Sequence, residues 1–199
     1  MKHGDIKNNR ASIQVQLNNT KVCGKAMSAQ QEIERILRVA HAGERGAISI
    51  YTAQIAISKH LWPSCVPALE EMLTHEKSHY LSFDAALKKR NARACYALPL
   101  WHLGGAVLGL ITGLLGPKAI WACTAAVENT VYKHLQEQIT FLERHDKDAL
   151  LAVKAIEADE KSHLDHALNH GGRPVKTNKI IWTIVSSCTT VAIWLSRRL

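Results

Sequence analysis

The chain lacks the features that mark several familiar classes. Its five cysteines (Cys23, Cys65, Cys95, Cys123 and Cys188) are odd in number and scattered, and none pair as Cys-x-x-Cys. This excludes a disulfide framework and a thiolate metal site, including the rubredoxin-type iron site of an electron carrier, and it fits a reducing compartment. The first 27 residues carry Lys2, Lys7, Arg10, Lys21 and Lys25 but no apolar run long enough for a secretory signal. Acidic residues are outnumbered, 17 against 25 Lys and Arg, leaving a formal net charge of +8. Such a charge suits nucleic acid or an anionic membrane surface. No nucleic-acid motif accompanies it, so the membrane is the expected partner.

Two stretches lack charge altogether. Residues 94–117 contain no Asp, Glu, Lys or Arg. Within them 98–115 has the length of a minimal spanning helix, but Pro99 and the glycines at 104, 105, 109 and 113 favour a buried or membrane-interface hairpin over a true span. Residues 180–196 are also uncharged, flanked by Lys179 and by Arg197 and Arg198, with Trp182 and Trp194 near the ends. That pattern suits a C-terminal helix over 176–197 lying at a membrane interface, or a terminal helix docked on the rest of the protein.

The remainder reads as helix. At 199 residues and 47% apolar content the chain holds one core. We expect a flexible basic segment over 1–27 and a single all-α domain over 28–199. Ser28 with Gln31 forms a capping-box pattern that opens a helix running to about residue 60 with no internal proline. Further helices are expected at about 64–91, 117–145 and 146–169, the last ended by Gly171, Gly172 and Pro174.

Alternating steps of four and three residues trace the buried seam of each long helix. The four seams run Ile33, Leu37, Ala40, Glu44, Ala47, Tyr51; Leu69, Met72, Glu76, His79, Phe83; Trp121, Ala125, Glu128, Tyr132, Leu135, Ile139, Leu142; and Ala149, Val153, Ile156, Glu160, His163, Ala167. Each is interrupted by a carboxylate, and none carries Lys or Arg. Four buried carboxylates need positive charge or protons to offset the loss of hydration. One Glu from each of two helices plus a Glu-x-x-His from each of two others is the ligand set of ferritin-like di-metal bundles. The i, i+3 spacing matters because it brings carboxylate and imidazole to one helix face.

The candidate metal ligands are therefore Glu44, Glu76, His79, Glu128, Glu160 and His163. Glu44 to Glu76 and Glu128 to Glu160 are both 32 residues apart, so the site is an internal repeat offset by 84. With 11 Glu and 11 His, about 0.6 Glu-x-x-His pairs arise by chance, so one copy would mean little. Two on apolar seams, each with an equally spaced partner Glu, mean more. The fold class that follows is a ferritin-like four-helix bundle with a di-metal centre plus additional apolar membrane-interface helices. His41 is expected to pack structurally, and His75, His166 and His170 to face solvent or neighbouring helices. Asp159 and Asp165 are candidates for orienting a ligand imidazole.

At His41-Ala-Gly-Glu44-Arg-Gly-Ala47, with Ile50-Tyr51 following, and at Ala122-Cys-Thr-Ala-Ala-Val-Glu128, the chain resembles the demethoxyubiquinone hydroxylase family. Pro99-Leu-Trp101 with the glycine-rich stretch, and Val191-Ala-Ile-Trp-Leu-Ser196, resemble that family's membrane-associated segment and final helix. The resemblance extends from about Ile33 to the C-terminus. It departs at Asn129, where the family often has a second acidic residue, and at Leu135, where it has a tyrosine; Tyr132 lies one turn earlier.

The resemblance implies a monooxygenase of ubiquinone biosynthesis that hydroxylates the ring of a polyprenyl methoxy-methyl-benzoquinol. It implies two iron ions per chain on the six residues above, some carboxylates bridging, with dioxygen as co-substrate and an external reductant. It further implies a polyprenyl quinone and a membrane surface as partners, together with other proteins of ubiquinone biosynthesis. The expected location is peripheral, on the cytoplasmic face of a bacterial cell membrane in preference to the mitochondrial inner membrane. The rival expectations are a ferritin-like iron-storage or peroxide-handling protein and a non-enzymatic membrane-surface helical bundle.

Overall fold

The structure, a computed structural model, describes residues 27–199; the basic segment, apart from Met27, lies outside the described residues. It is built of helices α1 (Ala29–Leu61), α2 (Val66–Lys89), α3 (Leu98–Leu115), α4 (Pro117–Leu142), α5 (Lys147–Ala167) and α6 (Lys179–Ser196), and no strand occurs among the described residues. A 3-10 turn, Pro63–Cys65, joins α1 to α2, and a π turn, Leu168–Gly172, ends α5. Helix boundaries fall within a few residues of expectation because the capping signals are real. The Gln31 amide donates to Ser28 Oγ, while Gln31 Oε1 accepts from the Ser28 amide. Asp146 accepts the Ala149 amide at 2.9 Å and is gripped by Arg90 through two 2.9 Å bonds, which ties the end of α2 to the start of α5.

Helices α1, α2, α4 and α5 form the four-helix bundle, with α1 against α2 and α4 against α5. The seam residues are buried throughout α2 and α5: Leu69, Met72, Glu76, His79 and Phe83 on one, Ala149, Val153, Ile156, Glu160, His163 and Ala167 on the other. On α4 the seam holds except at Tyr132, which is only half-buried. Two apolar clusters lie on either side of the carboxylate layer, one around Tyr51, Leu69 and Ile120, the other around Leu37, Phe83 and Leu142.

The uncharged stretch at 94–117 is one 18-residue helix, α3, and not a hairpin. Pro99 sits in its first turn, where no amide hydrogen bond is lost. Three of the glycines explain why it lies so close to α1. A Cβ at Gly105 would lie 2.5 Å from the Gly46 carbonyl oxygen, and one at Gly109 only 2.3 Å from that of Ile50, so backbone packs on backbone. Three polar ties fasten the pair: Ser49 Oγ to His102 Nδ1 at 2.7 Å, Gln54 Nε2 to Thr112 Oγ1 at 2.9 Å and Trp62 Nε1 to the Gly113 carbonyl at 3.0 Å.

The opposite face of α3, with Leu103, Val107, Leu110, Ile111 and Leu114, is exposed. Helix α6 docks on α4 through buried Val185 but leaves Ile180, Ile184, Val191 and Trp194 exposed. Both helices are long and apolar enough to cross a membrane by length and composition.

Candidate metal centre

Each of the four bundle helices delivers its polar seam residue to one layer. Glu44 comes from α1, Glu76 and His79 from α2, Glu128 from α4, Glu160 and His163 from α5, and all six are at most 4% exposed. The two Glu-x-x-His segments are the same tetrapeptide, Glu-Lys-Ser-His, at 76–79 and 160–163; the middle residues face solvent while the outer two turn inward. Ligand atoms gather in two overlapping groups, Glu44, Glu76, His79 and Glu160, and Glu76, Glu128, Glu160 and His163, each with its atoms within 4.8 Å of one another. Glu76 and Glu160 belong to both groups.

The contacts cross between the two halves of the repeat. His79 Nδ1 lies 3.4 Å from Glu160 Oε1 and 3.8 Å from oxygens of both Glu44 and Glu76. His163 Nδ1 lies 3.2 Å from Glu76 Oε1. None of these four contacts is aligned as a hydrogen bond: His79 Nδ1, His163 Nδ1 and Glu76 Oε1 are all buried without a hydrogen-bond partner. Lone pairs converging at such separations suit a cation between them, since two ligands each about 2.1 Å from one ion sit roughly 3.0–3.6 Å apart. The donor set of carboxylates and imidazoles suits iron, manganese or zinc.

Without metal the layer is electrostatically crowded. Burial pushes the Glu44 carboxyl well above the usual range, and neighbouring Glu76 pushes it further. Burial and then Glu160 do the same to Glu128, and burial and Glu76 raise Glu160. For Glu76 burial is outweighed by the closeness of the Glu44, His163 and His79 side chains, which holds its carboxyl low. Burial alone would lower His79, but Glu160 and Glu76 beside it push its pKa up to about 10. The protein thus keeps protons among these groups that a metal would displace.

The far ring nitrogens are held from outside the layer. His79 Nε2 is 3.0 Å from Asp159 Oδ2, and His163 Nε2 is 3.0 Å from His75 Nδ1. Asp159 flanks the second Glu-x-x-His yet serves the first, because α2 and α5 run side by side. Asp165 instead pairs with Lys161 on the surface. His75, expected to face solvent or a neighbouring helix, is partly exposed and stacks parallel on His163 of α5.

His41 packs structurally as expected, buried and stacked on Tyr80, and His166 stacks on His170 beside Trp121. Sequence reasoning gave Tyr51 a seam position but no role. Its hydroxyl donates to Glu128 Oε1 at 2.6 Å, and its place on α1 two turns beyond Glu44 was the signal available.

A narrow, partly open cleft leads from the carboxylates between α1 and α4 to Ile193 of α6. Glu44, Glu76, Glu128 and Glu160 form its floor, and its walls are mostly alkyl, including Ala40, Ala47, Val131 and Ile156. Gly43 lies at the wall, and a Cβ there would meet nothing within 4 Å.

Residues 31–196 match the sequence profile of the family described as ubiquinone biosynthesis protein COQ7. The chain belongs to that family. It is 34% identical over 166 residues to a 3-demethoxyubiquinol 3-hydroxylase of Rhodospirillum rubrum, covering 83% of this chain and 78% of that one. It is 34% identical over 171 residues to the human mitochondrial NADPH-dependent 3-demethoxyubiquinone 3-hydroxylase, covering 84% and 78%. It is 31% identical over 182 residues to the mitochondrial 5-demethoxyubiquinone hydroxylase of Saccharomyces cerevisiae, covering 84% and 78%. The COQ7 match takes in all six residues of the buried layer.

Proposed function

We propose that this protein hydroxylates the ring of a polyprenyl methoxy-methyl-benzoquinol, demethoxyubiquinol, in ubiquinone biosynthesis, with two iron ions per chain, dioxygen and an external reductant. The observation that carries this reading is the coincidence, in a COQ7-family chain, of a buried carboxylate and imidazole layer with an apolar cleft whose floor is that layer. In this reading Glu44 with His79 and Glu128 with His163 hold the two ends of the site, and Glu76 and Glu160 are shared. Four carboxylates balance the charge of two divalent ions, which removes the repulsion described above. When bound, iron in such a site would let dioxygen be reduced with two electrons from the reductant and two protons, so that one oxygen atom enters a ring C–H bond and the other leaves as water.

The protein's own residues set the conditions for that chemistry. Asp159 and His75 fix the two imidazole planes and direct their Nδ1 atoms inward. Tyr51 holds one oxygen of Glu128, so that carboxylate keeps a single orientation. The alkyl walls of the cleft accept the ring and keep bulk water from the layer. The exposed apolar faces of α3 and α6, on a chain of net charge +8, support peripheral attachment to an anionic membrane, from which a long-tailed quinol would enter the cleft beside Ile193. In a bacterium that surface is the cytoplasmic face of the cell membrane.

The test is iron content together with turnover of a short-chain demethoxyubiquinol under oxygen. About two irons per chain with hydroxylated product is the expected result. Glu128→Ala or Glu160→Ala should abolish product while helical content stays. Two irons with no product would favour the storage or peroxide reading, and full activity in either variant would sink the site assignment.

A further inference from the structure

The repeat that builds the layer also fixes which positions surround it, and at two of them its halves differ. An offset of 84 pairs Glu44 with Glu128, Glu76 with Glu160 and His79 with His163, and it also pairs His75 with Asp159 and Tyr51 with Leu135. His75 and Asp159 each precede a Glu-Lys-Ser-His segment, and each meets the far nitrogen of the other segment's imidazole at 3.0 Å. The geometry is the same, but one partner is a carboxylate and the other an imidazole. The two side chains are 34% and 40% exposed, so solvent screens both to a similar degree. Tyr51 likewise crosses the repeat to donate to Glu128 Oε1 at 2.6 Å, whereas its counterpart Leu135 has no hydroxyl to offer Glu44.

Both differences act in one direction. With Nδ1 turned to the layer as a ligand atom, His79 carries its proton on Nε2 and donates it to Asp159. A carboxylate acceptor there makes an imidazole a stronger donor to a cation than the neutral imidazole acceptor that His75 offers His163. A hydroxyl donating to a carboxylate draws on the same negative charge that a cation would use, so Tyr51 leaves Glu128 the weaker donor and Glu44 the stronger. We propose that the two iron positions are unequal: the Glu44–His79 end binds Fe(II) more tightly and fills first, the Glu128–His163 end second, with Asp159 and Tyr51 as the positioning residues that set the order. Glu76 and Glu160 are common to both ends and do not discriminate. This rests on the two-iron reading above and adds to it an order of loading that the matched ligands of the two ends do not contain.

The experiment loads the full chain anaerobically with one Fe(II) per molecule, crystallises it and compares the anomalous signal at the iron edge between the two ends; a second sample carries two. With one iron, the signal at the Glu44–His79 end should exceed the other about fivefold or more, since an outer partner of a ligand changes affinity by about 10–100-fold. With two irons, both ends should fill. Tyr51→Phe, which removes only the hydroxyl, should shift the single iron toward the Glu128–His163 end. His75→Asp should do the same, because it gives His163 a carboxylate from a position whose repeat counterpart already reaches an imidazole. Titration of each variant in solution against a chelating dye should show the weaker of the two binding steps tightened, where a merely structural role predicts that it loosens. Equal signals at one iron per chain, a preference for the Glu128–His163 end, or a distribution unchanged in either variant would overturn the inference and leave the two-iron reading standing. Failure of the wild type to take up two irons would overturn that reading and this inference with it.

Discussion

Replacing Glu128 with Gln separates the electrostatic account of the layer from any account in which the six residues merely satisfy one another. The amide oxygen of Gln can still accept from Tyr51, which now bonds Glu128 at 2.6 Å, and the shape is kept, so packing should survive. What changes is titration. The folded protein raises the Glu128 carboxyl, first by burial and then by Glu160. A group raised in the folded state contributes stability below its unfolded pKa of about 4.3 and loses it as pH rises toward the folded value, at about 1.4 kcal/mol per pH unit.

Gln carries no such dependence. At neutral pH the metal-free variant should therefore be more stable than metal-free wild type, by on the order of 2 kcal/mol. For a chain of this length that is roughly 4–8 °C in Tm. Metal reverses the order. An ion at a hundredfold excess over its Kd stabilises the folded state by about 2.7 kcal/mol per site, roughly 5–11 °C, and the variant should forfeit at least one site. Differential scanning calorimetry with and without Fe(II), run anaerobically, reads both effects. A metal-free variant less stable than wild type, or one that keeps the whole metal-induced rise, would refute the reasoning.

Other outcomes follow from single contacts. Metal uptake should release protons, because Glu44, Glu128 and Glu160 are raised and His79 titrates at about 10; apparent affinity should fall as pH falls, as calorimetric titration in buffers of different ionisation enthalpy would show. Asp159→Asn should weaken metal binding about 10–100-fold by freeing the His79 ring, while Asp165→Asn, which touches only Lys161, should not; competition with a chelator separates them. Gly43→Leu should raise helix stability by about 0.5–1 kcal/mol yet cut quinol binding at unchanged metal content, since the new side chain enters the mouth of the cleft. Gly109→Val should cost about 1–3 kcal/mol in thermal unfolding, because α3 cannot approach Ile50 past a Cβ.

The bundle was legible because its period was clean. The seams of α2 and α5 needed no correction, and the cap at Ser28 ended up where its side chain could accept an amide proton. The six residues of the layer were found for the same reason: a charged residue on an apolar seam is conspicuous. What surrounds the layer was legible only in part: Asp159 stood out as a candidate partner of a ligand imidazole, but which imidazole it would reach did not. Asp159 and His75 lie off the seam, and only the crossing of α2 and α5 brings each to the other helix's imidazole. Tyr132 looked like a seam residue but is half-buried, and the tyrosine that reaches the layer is Tyr51, from a helix that a one-dimensional pattern does not connect to Glu128. Whether 94–117 formed a helix or a hairpin could not be read from glycine content alone. Glycine spaced every four residues breaks an isolated helix but improves one pressed against a neighbouring backbone, and the neighbour was the missing fact.

The two sides of the layer differ in a way that bears on how the proposed reaction would be kept in order. On the α2 and α5 side, Asp159 and His75 are 40% and 34% exposed at their side chains, so polar groups in contact with water touch both imidazoles. On the α1 and α4 side, the carboxylates meet the alkyl walls of the cleft and Ile193. An apolar ring with a hydrocarbon tail is driven into the second side and excluded from the first by hydration alone. Protons and small polar reactants have the opposite preference. One buried layer between two unlike faces therefore admits two unlike reactants without a moving gate. The repeat that built the layer supplies the symmetry of its ligands, and the partners on either side, α3 and α6 against a wet α2–α5 face, break that symmetry into an entrance for the substrate and a boundary with water.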